Sequence, residues 1–97
     1  MTEQKKEFVL SKQCLRSGTS VGAMIRESAF AQSKPDFIHK LSIAAKEANE
    51  TIYWISLLKD TGYIDDNTFF SISSDCEELI KLLTASIITS KKSIEKK

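Results

Sequence analysis

The 97-residue sequence predicts an all-α fold, an up-and-down bundle of three long helices. Three observations carry that expectation. Only three glycines and one proline punctuate the chain, so long helices meet few breakers. Apolar and small residues recur three and four apart in three separate stretches. Capping residues stand where those stretches should begin and end. No stretch shows the period of two that a half-buried strand needs, and there is no internal repeat or low-complexity tract. Residues 1–97 read as a single helical-bundle domain, with helices expected over about 5–31, 34–61 and 66–90.

The first helix is drawn from the stripe Phe8, Leu10, Cys14, Leu15, Gly18, Val21, Gly22, Ile25, Ala29. Inside it, Gly18 and Gly22 lie four apart, on one face, with Val21 and Ile25 beside them. Each mid-helix glycine costs roughly 1 kcal/mol relative to alanine. The expectation is that close packing against a neighbouring helix offsets this, as small-xxx-small faces permit. The competing reading is a hinge between two shorter helices. A phosphate loop is disfavoured, because G-x-x-x-x-G-K-[ST] is absent and no lysine follows the glycines before Lys34.

The second helix opens at "SKPDF". Ser33 and Asp36 have capping-box spacing, and Pro35 sits in the first turn, where its missing donor is harmless. The stripe Phe37, Leu41, Ala44, Ala45, Ala48, Ile52, Ile55, Leu58 follows, and Gly62 is placed to end it. The third helix starts at "YIDDNT", where Asp65 or Asp66 can cap it. Its stripe is Phe69, Ile72, Cys76, Leu79, Ile80, Leu83, Ile87, and it runs out in the basic "SKKSIEKK". Ser74 and Glu77 form a second capping pattern, which leaves open a break near Ser73. Short connections make sequence neighbours antiparallel.

Composition excludes more function than it suggests. Fourteen basic residues against thirteen acidic ones give a formal charge of +1, so no global field favours nucleic acid or acidic membrane. No apolar run is long enough to span a bilayer, and "MTEQKKEF" is no signal peptide, so a cytoplasmic location is expected. Cys14 and Cys76 have no metal-ligand spacing. They read as packed, reduced thiols, with a disulfide as the lesser alternative. His39, the only histidine, has just Asp36 near it at ligand spacing and reads as a surface residue. No serine, cysteine or lysine can be given both a base and an orienting acid. Neither an enzyme, a metal, a cofactor nor a small-molecule substrate is expected.

The run "LSKQCLRSGTSVGAMIRESAFAQSKPDFIHKLSIAAKEANETIYWISLLKDTGYI" resembles the four-helix-bundle family encoded in intervening sequences of bacterial ribosomal RNA genes. Its pattern there is "QLLRSGTSIGANIREA" followed by "SKxDFxxKLxIAxKEAxETxYWLxLL". The resemblance extends from Leu10 to about Leu83. That family is similar to the accessory bundle protein of diversity-generating retroelements. The resemblance implies a ring-shaped homopentamer and a possible RNA or DNA partner. It also implies that the first of four helices is short or missing here, because only "MTEQKKEF" precedes "VLSKQ". Met24 stands where the family pattern has asparagine, so a polar role at that position does not transfer.

Several side chains are candidates for assembly or binding. Phe8, Phe30, Tyr53, Trp54, Leu57 and Phe70 fall outside the narrow seams and are candidate subunit contacts. Glu47 and Glu50 suit an inter-helix ion pair with Arg16 or Arg26, and such a pair fixes register more than it adds stability. The terminal lysines Lys5, Lys6, Lys91 and Lys92, with Lys96 and Lys97, are solvated helix ends. Repeated around a ring, they would also concentrate positive charge for nucleic acid. The function expected is a non-enzymatic, homo-oligomeric scaffold or binding module. The alternative is a protein-interaction adaptor that binds no nucleic acid.

Overall fold

The computed structural model describes residues 2–95. It holds three α-helices and, among the described residues, no strand: α1 (Glu3–Ser28), α2 (Lys34–Asp60) and α3 (Asp66–Glu95). The bundle is up-and-down, as its short connections require. Its extents are 56 × 22 × 16 Å. The radius of gyration, 15.8 Å, exceeds the roughly 12.5 Å of a round domain of this length.

Each terminus of a helix follows from local chemistry. Thr2 caps α1, its Oγ1 accepting from the Lys5 N–H at 3.3 Å. Ser33 caps α2 and accepts from the Asp36 N–H at 3.2 Å, with Pro35 in the first turn. Asp65, not Asp66, caps α3: its Oδ1 accepts from the Thr68 N–H at 2.7 Å. These bonds with Thr68 hold the Asp65 carboxyl below its usual range. At the end of α2, Gly62 has φ +84°, a left-handed conformation. The Tyr63 N–H bonds the Leu58 carbonyl and the Gly62 N–H that of Lys59, which is a Schellman closure.

Two boundaries differ from expectation. α1 stops at Ser28 rather than near 31, because the N–H groups of Ala29, Phe30 and Ala31 turn back to carbonyls only three residues earlier. α3 continues past 90 to Glu95, with no glycine or proline to stop it. It is also unbroken at Ser73 and Ser74. Ser73 is buried and its hydroxyl lies 3.4 Å from the Phe70 carbonyl of its own helix. Lys96 and Lys97 lie outside the described residues.

α2 is the central helix. α1 and α3 each pack along it, and their own backbones nowhere come within 8 Å of each other, Cα to Cα. The reason lies in α2's buried face of Leu41, Ala44, Ala48, Thr51, Ile55 and Leu58. Ala44 and Ala48 are fully enclosed and small, so flanking helices draw in close. Leu41, Ala44 and Leu83 form the core cluster, joined by Met24 and Ile25 of α1 and by Phe37, Leu79 and Ile87. Two polar ties hold the ends. The Tyr63 hydroxyl donates to Glu3 at the foot of α1, and the Lys34 ammonium donates to the Ser93 hydroxyl near the top of α3. The Glu3 carboxylate pushes the Tyr63 phenol up to about 12.

The glycine expectation is corrected here. Gly18 and Gly22 are exposed, and a Cβ built on either meets nothing within 4 Å. The face of α1 that meets α2 is one position round: Leu10, Ser17, Val21 and Ser28. Of the four residues expected at the close approach, Val21 is buried and Ile25 packs against the core cluster. The hinge alternative also fails, since α1 runs through both glycines without interruption.

Truncating Leu83→Ala should cost about 2–5 kcal/mol in urea unfolding, as a buried leucine in the core cluster. Gly22→Ala should instead stabilise the dilute chain by up to about 1 kcal/mol, since helix propensity improves and nothing is displaced. A loss at Gly22→Ala would show that the glycine packs inside the fold.

Candidate functional site

One polar cluster bridges α1 and α2. Arg16 reaches Glu47 at 4.0 Å and Glu50 at 3.7 Å. Glu47 and Glu50 are one turn apart on α2, so a single guanidinium sees both carboxylates. Arg26 does not join them. It lies beyond the middle of the bundle, in a shallow hollow of about 350 Å³ with Glu27, Phe30, Asp36 and Lys40. There Lys40 pairs with Glu27 at 3.3 Å, an inter-helix contact the sequence reading missed. Arg16 is half exposed, so its pairs act on register and add little to stability.

The interior side of this cluster is incompletely satisfied. Ser17 is fully enclosed and its hydroxyl has no hydrogen-bond partner. The buried Glu47 Oε2 likewise has none: 4.0 Å from Arg16 is a Coulombic contact, too long for a hydrogen bond. The Trp54 indole N–H is the third such group. Each of these atoms is closed to solvent by its own chain.

The chemistry of the remaining candidates is quiet. Burial raises the Cys14 thiol, and burial together with the nearby Cys14 raises Cys76. Both are therefore poor nucleophiles at neutral pH. A disulfide needs Cα atoms about 4.4–6.8 Å apart, and the separation of α1 from α3 forbids it. Among the described residues no group of three or more His, Cys, Asp or Glu could hold a metal ion. His39 is exposed. No helix is long and apolar enough to cross a membrane.

The proposed contact residues divide into two groups. Phe8, Phe30, Tyr53 and Phe70 are largely exposed. Trp54 and Leu57 are partly covered by their own chain, and Trp54 meets Tyr53 edge to face at 5.0 Å between ring centres. The exposed large apolar side chains fall mostly on the outer helices: Phe8, Val9 and Leu15 on α1, and Phe70, Ile72, Leu82, Ile88 and Ile94 on α3. α2 contributes Tyr53 alone to that set. Lys5 and Lys6 stand at the foot of the molecule beside the α2–α3 turn. Lys91 and Lys92 stand at the top, so one chain does not unite them.

This three-helix arrangement and its sequence have known counterparts. Residues 1–85 match the sequence model of the 23S rRNA-intervening sequence protein family. The chain belongs to that family. It is also similar to a crystal structure of a protein with unknown function from the S23 ribosomal protein family of Bacteroides thetaiotaomicron VPI-5482. The two are 59% identical, the match covers 86% of this chain and 77% of that one, and the TM-score is 0.82. No curated protein matches. The family membership accounts for the all-α bundle and indicates no catalytic family.

Replacing Ser17→Ala should be neutral or stabilising by up to about 1 kcal/mol, because it removes an enclosed hydroxyl that has lost water without gaining a partner. A drop in melting temperature with that variant would mean that Ser17 is hydrogen-bonded in solution.

Proposed function

We propose that this chain is a non-enzymatic helical scaffold that works by associating with copies of itself. The observation that carries the reading is surplus surface. The chain exposes 6710 Å². A globular monomer of 10.9 kDa exposes about 5,600 Å². The excess, about 1,100 Å², is larger than the roughly 800 Å² that one partner commonly buries in a specific interface. Large apolar side chains on both outer helices lie in that surface, which is where association gains most.

The resemblance suggests a pentamer and a nucleic-acid partner. Within one chain the basic ends are too far apart to grip a phosphate backbone together. A rotationally repeated assembly supports the binding reading differently, by gathering Lys91 and Lys92 of every copy on one rim and Lys5 and Lys6 on the other. A nucleic-acid complex formed this way depends on assembly and weakens steeply with salt.

Native mass spectrometry at micromolar concentration tests the scaffold. A closed oligomer, with five copies the expected number, is the outcome this reading requires, and a monomer would refute it. Titrating structured RNA and duplex DNA at about 50 mM salt tests the partner, since phosphate contacts are strongest at low salt. Binding that vanishes in Lys91→Glu/Lys92→Glu is expected. No binding by the assembled wild type would leave the protein-interaction adaptor.

A further inference from the structure

Cys14 and Cys76 are the only thiols of the chain, and both are free and half-buried. Cys14 lies four residues after Leu10 and three before Ser17, both buried on the inward face of α1. Cys76 lies three residues after Ser73 and seven before Leu83, the buried residues of α3. Each thiol therefore sits on the inward side of its helix.

The fold brings the two to the same region. α1 and α3 run in the same direction, since each is antiparallel to α2. Ile25 of α1 and Ile87 of α3 pack against one core cluster. Eleven residues toward the start of each helix, about three turns, lead to Cys14 and to Cys76. Tyr63 and Glu3, which touch at the foot of the bundle, are 60 apart in sequence, and the cysteines are 62 apart. That difference is an offset of about 3 Å along the bundle, less than one turn. The thiols also sense each other: burial first, then charge on Cys14, raises Cys76.

The gap between them suits a bridged pair better than a bonded one. A disulfide tolerates Cα atoms up to about 6.8 Å apart. No Cα of α1 lies within 8 Å of one in α3. An ion held between two thiolates replaces one S–S bond of about 2.05 Å with two metal–sulfur bonds of about 2.3 Å each, which extends the reach to roughly 9 Å. Among the described residues no group of three or more His, Cys, Asp or Glu comes together as ligands. Zinc, which asks for four ligands, is poorly served here. Two thiolates suit a soft cation that accepts two ligands, and Cu(I) is such an ion.

We propose that Cys14 and Cys76 form a two-coordinate site for Cu(I), bridging α1 and α3 within one chain. Both S–H bonds break on binding. Each sulfur keeps its electron pair and bonds the ion, and both protons pass to solvent. Copper stays Cu(I), so the step needs no electron donor or acceptor. Burial keeps the thiols protonated until a cation arrives, and the charge of the ion then favours thiolate. The bound ion ties the outer helices together on the side where their backbones do not touch.

The test uses the full chain, reduced and kept free of oxygen. Cu(I) is supplied as its complex with a coloured chelator, and transfer to the protein is read from the loss of colour. Wild type should take up one Cu(I) per chain and melt at a higher temperature with it. Cys14→Ser and Cys76→Ser should each keep the helical circular dichroism, take up no Cu(I) and show no melting shift. Where serine disturbs the fold, Cys14→Ala and Cys76→Ala carry the same expectation. An equal mixture of the two variants should also take up none. No uptake by wild type, or uptake retained in either variant, would overturn the site. Uptake restored in the mixture would place the two thiols on different copies and overturn the bridge within one chain.

Discussion

Everything in this molecule depends on the tight face of α2. Ala44 and Ala48 are enclosed there and occupy little volume, so α1 and α3 both settle against one helix. The outer helices share side-chain contacts in the Leu41, Ala44 and Leu83 cluster, but their backbones stay apart. A third of the usual bundle perimeter, the α1–α3 side, is thus left without direct helix packing. That constraint explains the elongated shape, the surplus surface and the concentration of exposed apolar side chains on α1 and α3.

The sequence made the fold readable where local chemistry and periodicity agree. Ser33 with Pro35 and Asp36, and Gly62 at the end of α2, are unambiguous because each satisfies specific orphan backbone groups. It was less informative about direction around the helix. α1 has two adjacent stripes three and four apart, one through Leu10, Ser17 and Val21 and one through Leu15, Gly18 and Gly22. Apolar periodicity favours the second, because Ser17 and Ser28 look polar. The structure buries the first. Leu10, Ser17, Val21 and Ser28 face inward while Leu15, Gly18 and Gly22 stay exposed, and a sliding apolar pattern does not separate two stripes that lie side by side.

Site residues were legible to different degrees. Helical spacing alone put Glu47 and Glu50 on one face, and it made Arg16 a candidate partner. The choice of Arg16 over Arg26 needed the height at which antiparallel helices align, which loop geometry fixes. Tyr63 with Glu3 and Lys40 with Glu27 were invisible for the same reason: both partners sit near chain turns, in polar surroundings with no periodic signal. The unequal charge of α1 and α3 is present in the sequence all along, though the net charge of +1 conceals it.

Hydrogen exchange followed by mass spectrometry tests the central claim, that α2 is the helix on which both of the others settle. In dilute protein the slowest amides should lie in α2 between Leu41 and Leu58, with α1 and α3 opening separately and sooner. Slowest exchange in α1 or α3, or all three helices opening as one unit, would contradict it.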